Sequence, residues 1–100
     1  MTLASDITTY ITQGFPADQY DLVAAMVDMA VLHDGSPAGP RCQRAALVGS
    51  HGSLGKLEQL IADLKKDYRD VIIEGEYEMH GKKLMRVRNL EVPFDNNRDE

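Results

Sequence analysis

The sequence predicts an α+β domain in which four helices precede a C-terminal antiparallel β-hairpin. Two observations carry this prediction. Apolar residues recur at helical spacing through most of residues 3–68, and residues 70–92 form two short runs on either side of a His-Gly turn signal. The length of 100 residues allows one hydrophobic core. We therefore expect a single domain over residues 1–94, followed by a flexible acidic tail at residues 95–100.

A short first helix is predicted over residues 3–13. Leu3, Ile7 and Ile11 fall on one stripe, and Gly14 follows as a stop signal. Three threonines give this segment a poor intrinsic helix propensity. We therefore expect the helix to need docking, either on its own domain or on another copy of the chain.

Pro16 opens a stronger second helix, predicted over residues 17–33. Nearly all of its residues outside a narrow acidic strip are apolar, which indicates a central helix. Its second apolar side carries Leu22, Met26 and Met29, and Met-rich surfaces adapt readily to partners. This side and the stripe of the first helix either bury each other within one chain or form a partner interface, including a homodimer through the N-terminal helices.

The Gly- and Pro-rich stretch DGSPAGP then breaks the chain before a third helix, predicted over residues 41–49. Cys42 and two alanines would face inward in this helix. Arg41 and Arg44 would face outward.

After the tight turn GSHG, Ser53 is a natural N-cap for a fourth helix over residues 54 to about 68. Four leucines and an isoleucine define a clear apolar stripe on this helix, and its opposite face is charged. We therefore expect the fourth helix to be half-buried.

The C-terminal third predicts a hairpin whose register follows from its charges. A three-residue loop at residues 79–81 pairs Glu78 with Lys82, whereas a two-residue turn at His80-Gly81 mixes apolar and charged partners. Opposite charges facing across strands contribute roughly 0.2–1 kcal/mol per pair, and Gly tolerates the left-handed position that the longer loop needs. The expected buried face is Val71, Ile73, Tyr77, Met85 and Val87. The expected salt-bridged outer face is Glu74, Glu76, Glu78, Lys82, Leu84, Arg86 and Arg88.

Charge is unevenly distributed along a chain whose net charge is −5. Residues 1–40 contain five Asp and no Lys or Arg, whereas residues 41–90 contain ten Lys or Arg against seven Asp or Glu. A sequence pI near 5.1 argues against a general polyanion binder. The asymmetry leaves open a local basic face on the second half of the chain.

The single cysteine excludes an intramolecular disulfide, so nothing indicates a secreted, disulfide-stabilised fold. The N-terminal segment has no basic region or long apolar run that would mark a signal peptide. No apolar run reaches the roughly 18 residues of a membrane span. We therefore expect a cytoplasmic protein.

The order of these elements, together with the stretch GSHGSLGKLEQLIADLKKDYRDVII, resembles the winged-helix superfamily over about residues 17–92. A small polar residue begins the last helix of such domains, and a short break then leads into a two-stranded wing. The chain departs from the pattern in two ways. The Gly that often follows the recognition helix is absent from KDYRD, and the N-terminal helix is an addition that such domains often use for dimerisation.

The resemblance implies two alternative kinds of binding. As a DNA-binding regulator, the protein would lay the fourth helix in the major groove and touch the backbone with the hairpin tip. The residues expected to contact DNA are then Arg41, Arg44, His51, Ser53, Lys56, Gln59, Lys82 and Lys83. As a small adaptor or regulator, it would bind a protein or a second copy of itself. The residues expected at that interface are Leu3, Ile7, Ile11, Leu22, Met26 and Met29. The acidic residues on the fourth helix and the wing dilute the basic footprint, which favours the protein-binding alternative.

Enzyme and cofactor chemistry have little support in the sequence. Cys42 lies near a helix start, where the pKa of a thiol is lowered. His33 or His51 could pair with it, but no third group that would orient the histidine lies at a recognisable spacing. The histidines and the cysteine form no metal-ligand pair. The stretch GSHGSLGK lacks the spacing of a phosphate-binding loop. We expect no catalytic, metal or cofactor site and no small-molecule substrate.

Overall fold

The computed structural model describes residues 3–94 as four α-helices followed by a two-stranded antiparallel sheet. The elements are α1 (Ser5–Gly14), α2 (Tyr20–Asp28), α3 (Pro40–Ser50), α4 (Leu54–Glu76), β1 (Tyr77–His80) and β2 (Lys83–Arg86), with a 3-10 turn at Ala17–Gln19 before α2. This confirms the predicted α+β class and the order of its elements. The predicted acidic tail lies outside the described residues.

The centre of the molecule is α3, which packs along α4. Most residues of α3 are buried, including Cys42 as predicted. A Cβ atom added at Gly75 would lie 2.6 Å from the Ala45 Cα atom, so α3 and α4 cross at close range and the crossing requires glycine. The fully buried side chains Leu47, Leu57, Leu60, Leu64 and Val71 fill the space around this crossing.

The second helix is shorter and more peripheral than predicted. It ends at Asp28, and the chain then folds into a tight loop closed by a bridge between Val31 and Pro37. Gly35 adopts a φ of 83°, and Asp34 accepts hydrogen bonds from the Ser36 backbone and hydroxyl, which shapes the end of this loop. The helix itself stops before its predicted end at residue 33. Because Leu22 and Met29 remain 51% and 75% exposed, the prediction of a central second helix is wrong.

The first helix docks on its own chain. Ile7 and Ile11 are 0% and 2% exposed, and Gly14 is the last helical residue, as expected. Burial within the chain supplies the docking that the poor helix propensity requires. Of the two alternatives predicted for this stripe, the structure shows the intramolecular one.

The fourth helix starts at its predicted cap, and its first segment ends at a kink next to the predicted end near residue 68. The Ser53 hydroxyl accepts a hydrogen bond from the Lys56 backbone N–H. At Asp67 the backbone leaves the helical region (φ −155°, ψ 101°), and a second helical segment then continues to Glu76. The predicted strand beginning at Val71 is therefore wrong. Buried positions 71, 72, 75 and 76 show why: they follow the 3.6-residue helical period.

The hairpin is real, but its predicted register and burial are wrong. His80 pairs with Lys83, so Gly81 and Lys82 form a two-residue turn in which Gly81 has a φ of 67°. Such tight turns favour Gly at the first loop position. All residues of β1 and β2 after Tyr77 are exposed. The expected buried face does not form, since Ile73 lies on α4 at 39% exposure and Met85 is 48% exposed.

Residues 87–94, here called the C-terminal strap, return from the hairpin to the helices. Leu90 is fully buried in the core. The Phe94 ring stacks on the Tyr10 ring of α1, with a centroid separation of 4.5 Å. The strap thus ties the end of the described chain to its first helix.

Candidate protein-interaction surfaces

Glu76 lies at the junction of α4 and the hairpin and binds two arginines, of which Arg41 was expected to contact DNA. Its carboxylate accepts hydrogen bonds from Arg41 Nε at 2.9 Å, Arg86 Nε at 3.0 Å and the Leu90 backbone N–H at 3.1 Å. Its side chain is 0% exposed, so its predicted place on an exposed outer face is wrong. Burial alone raises the pKa of Glu76, but the Arg41 hydrogen bond, the Leu90 N–H and the two arginine charges outweigh burial and lower the pKa.

A second buried ion pair joins α1 to α3. Arg44 donates to both carboxylate oxygens of Asp6, at 2.9 and 3.2 Å, and to the Leu90 carbonyl at 3.1 Å. Asp6 also accepts from the Phe94 N–H at 3.0 Å. Burial raises the pKa of Asp6, whereas Arg44 and the Phe94 N–H together lower it below its ordinary value. Because Arg44 is only 4% exposed, the prediction that it faces outward toward phosphates is wrong.

The remaining residues expected to contact DNA are divided between two separate regions. Near the start of α4, the Ser53 hydroxyl is used as the helix cap, Lys56 lies 3.8 Å from Glu74, and Gln59 donates to Asp63. His51 is exposed in a left-handed turn conformation. Polar partners within the chain therefore occupy most of the predicted recognition surface.

Lys82 lies in the hairpin turn, and Lys83 is the first residue of β2. Both are exposed, and no described carboxylate lies within ion-pair distance of either ammonium group. Beside them Met79 pairs across the strands with Leu84, and these side chains are 61% and 50% exposed. The hairpin tip, defined as residues 79–85, is thus both apolar and basic.

The residues expected at a partner interface also divide. Leu3 is half-buried, and Ile7 and Ile11 are enclosed within the chain, so the prediction that Ile7 and Ile11 face a partner is wrong. Leu22, Met26 and Met29 instead line an open groove of about 370 Å³ between α2 and α4. The walls of this α2/α4 groove are completed by Ala25, Ala30, Val31, Ile61 and Lys65.

Carboxylates lie next to the groove-lining residues of α2 along the chain, although none is among the lining residues themselves. Asp21 is exposed one helical turn before Ala25, which lines the groove, and Asp18 is exposed in the preceding 3-10 turn. Asp28 is only partly exposed, and one of its carboxylate oxygens is buried. The charged residue of the lining is Lys65. The groove therefore has an apolar floor, and the exposed Asp18 and Asp21, here called the acidic flank, lie beside it in the sequence.

A smaller groove of about 230 Å³ lies at the kink in α4, between His33, Lys66, Tyr68 and Arg69. Asp67 is part of its lining, and the Arg69 guanidinium donates to both oxygens of that carboxylate. Because Asp67 and Arg69 neutralise each other, Lys66 supplies the remaining formal charge of this lining.

Two observations bear on metal binding and on a nucleophilic role for Cys42. No cluster of three His, Cys, Asp or Glu side chains is arranged to hold a metal ion there. Cys42 is buried, and this burial raises the pKa of its thiol although Arg41 opposes the shift. A raised thiol pKa is the reverse of what a nucleophilic cysteine needs.

Comparison with known proteins finds no matching family model, no matching curated protein and no matching solved structure. The winged-helix resemblance therefore stays a prediction. None of the helices within residues 3–94 is both long and apolar enough to cross a bilayer.

Sequence reasoning predicted residues of both surfaces but not the exposed apolar pair of the hairpin tip. Leu22, Met26 and Met29 were recognised because α2 has more apolar residues than one buried face needs. Leu84 was expected on the outer face of the hairpin and is half exposed there, whereas Met79 was expected in the loop. Only the actual register shows that Met79 and Leu84 pair across the strands while facing solvent.

Proposed function

We propose that this chain is a small non-enzymatic adaptor or regulator that works by docking a protein segment into the α2/α4 groove. The observation that carries the proposal is the exposure of Leu22 and Met29 beside the half-buried Met26 in a groove of about 370 Å³. Exposed apolar surface with a polar rim is typical of interaction sites.

The chemistry of the groove defines the segment that it would accept. An apolar floor favours one or two aliphatic or Met side chains as anchors, and unbranched Met side chains in the groove can adapt to their shape. The acidic flank of Asp18 and Asp21, next to the groove along the chain, favours Lys or Arg beside those anchors. The proposed ligand is therefore an apolar peptide segment with flanking positive charge.

The alternative, a DNA-binding regulator, has less support from the geometry. Arg44 is buried against Asp6, Arg41 is held by Glu76, and Lys56 lies beside Glu74. Lys82 and Lys83 remain available to contact phosphates. The whole second segment of α4 lies between them and the start of α4, which was expected to contact the bases. The proposal also includes a cytoplasmic location, as expected for a chain whose one cysteine is a buried free thiol.

The proposed function is tested by selecting peptides from a displayed random library against the immobilised chain. Each round includes counter-selection on the Met29→Glu variant, and Tyr68→Glu is the matched control because Tyr68 is exposed but does not line the α2/α4 groove. We expect enriched peptides to carry apolar anchors with Lys or Arg and to bind Tyr68→Glu normally. No enrichment, or equal binding to Met29→Glu, would contradict the proposal. Duplex DNA that binds at low salt and dissociates steeply as salt rises would instead favour the alternative.

A further inference from the structure

The hairpin tip is an unusual feature for a chain of this size because it exposes apolar side chains on both of its faces. Met79 and Leu84 lie opposite each other on one face, and Met85 lies opposite Glu78 on the other. Within residues 3–94 neither strand has a second neighbour. An isolated two-stranded hairpin is marginal in water, so this element gains stability if its tip is covered.

The charges of the hairpin tip complement those of the α2/α4 groove. Lys82 and Lys83 give the tip positive charge beside its apolar pair. The exposed Asp18 and Asp21 give the groove an acidic flank along α2 and the turn before it, and Lys65 is the charged residue of the groove lining itself. These opposite charges reflect the uneven charge along the chain, which is acidic over its first 40 residues and more basic over residues 41–90.

A chain does not fill its own groove with its own hairpin. The hairpin begins directly after Glu76, whose carboxylate is fixed by Arg41 of α3 and by Arg86 at the base of β2. In this arrangement both Leu84 at the tip and Met29 in the groove are at least half exposed. An occupant of matching chemistry must therefore come from a second molecule.

We propose that the occupant of the α2/α4 groove is the hairpin tip of a second copy of this chain, with two copies exchanging tips about a two-fold axis. The inference rests on the proposed function, because it identifies the segment that the groove docks. A single tip in a single groove makes a small contact, whereas reciprocal exchange doubles the area toward the roughly 1,200 Å² of specific interfaces. Two-fold closure also leaves no unpaired tip or groove from which a filament would grow.

The test is analytical ultracentrifugation of the purified chain over a wide range of concentration. We expect a reversible monomer–dimer equilibrium. Met29→Glu in the groove and Leu84→Glu in the tip should each raise the dimer dissociation constant by roughly a hundredfold or more, since each places a charge in an apolar contact. Tyr68→Glu should leave the constant unchanged. Circular dichroism verifies that all three variants are folded.

Mixing the two defective variants distinguishes exchange from other dimers. A heterodimer of Met29→Glu and Leu84→Glu retains one intact tip and one intact groove that face each other, so the mixture should associate more than either variant alone. A dimer made by groove against groove or by tip against tip cannot be rescued in this way. No rescue at the highest concentration, an effect of only one variant, or species larger than a dimer would overturn the proposal.

The result also separates this inference from the proposed function. A strictly monomeric chain that nevertheless selects groove-binding peptides would overturn the self-exchange and leave the docking function standing. A chain that selects no peptides and stays monomeric would overturn both.

Discussion

At the scale of single residues, the most informative side chain is Glu76, which was expected in solvent. Alternating Glu and Arg residues along a strand normally indicate an exposed ion-pair ladder, because each exposed pair costs little to form. Here the segment containing Glu76 is the end of a helix, and the carboxylate is buried with two arginines and a backbone N–H as donors. A buried charge of this kind is tolerated only with such a complete set of partners.

We expect Glu76→Gln to lower the free energy of unfolding by about 3–5 kcal/mol, the usual cost of removing one partner of a buried ion pair. The physical reason is that Arg41 and Arg86 would lose the negative charge that compensates them while remaining partly buried. Urea unfolding followed by circular dichroism measures the change.

The matched control is Glu78→Gln, two residues along the chain. Glu78 pairs with Arg88 at 3.0 Å, but its side chain is 53% exposed, so the expected loss is only about 0–1 kcal/mol. Equal losses for the two substitutions would show that Glu76 is not a buried structural charge.

At the scale of elements, the sequence predicted where α3 and α4 begin but not the second helical segment of α4. Ser53 capped α4 as predicted, and Pro40 opened α3. The triplet Val71-Ile72-Ile73 was ambiguous because a short apolar run fits a buried strand and a buried helix equally well. A signal was present in Asp67, whose side chain accepts from the Arg69 N–H and so caps the second helical segment.

The crossing of α3 and α4 gives a test at this scale. We expect Gly75→Ala to destabilise the fold by about 1–3 kcal/mol or more, as overpacking does, because the new methyl group would lie 2.6 Å from the Ala45 Cα and 2.8 Å from its carbonyl oxygen. Thermal or urea unfolding measures the effect.

Gly55→Ala is the comparison for the same chemical change in the same helix. A Cβ atom there meets nothing within 4 Å, so the higher helix propensity of Ala should stabilise the chain by up to about 1 kcal/mol. The prediction for the crossing fails if the two substitutions change stability in the same direction.

The hairpin shows why register is difficult to derive from sequence. The predicted loop at residues 79–81 and the observed turn at Gly81-Lys82 both place Gly81 at positive φ, so glycine alone does not discriminate between them. Burial normally decides register, but β1 and β2 have almost none. The candidate surfaces show the same limit. Exposed residues on α2 were predicted from excess apolar surface, and Leu84 was expected on the outer face of the hairpin, but the pairing of Met79 with Leu84 depended on the register.

At the scale of the whole molecule, two buried carboxylates hold the two ends of the described chain together. Asp6 in the first helix accepts from the N–H of Phe94, 88 residues away. Glu76 accepts from the N–H of Leu90, and Arg44 donates to the carbonyl of the same residue. The C-terminal strap is therefore fastened by ionised groups rather than by regular secondary structure, which makes the stability of the fold dependent on their charge.

This dependence predicts how stability changes with pH. The folded pKa values of Asp6 and Glu76 lie below the ordinary values of 3.8 and 4.5, so the unfolded chain takes up protons at a higher pH than the folded chain does. Their contribution is fully present above those ordinary values and is lost as pH falls through the folded pKa values. We therefore expect the urea midpoint to be steady near neutral pH and to fall below about pH 5. Asp6→Asn and Glu76→Gln should lower the neutral-pH midpoint and flatten the acid decline, whereas Glu78→Gln should leave both nearly unchanged. An acid decline equally steep in all three variants would show that other carboxylates control the response, and that the strap is not fastened by these two charges.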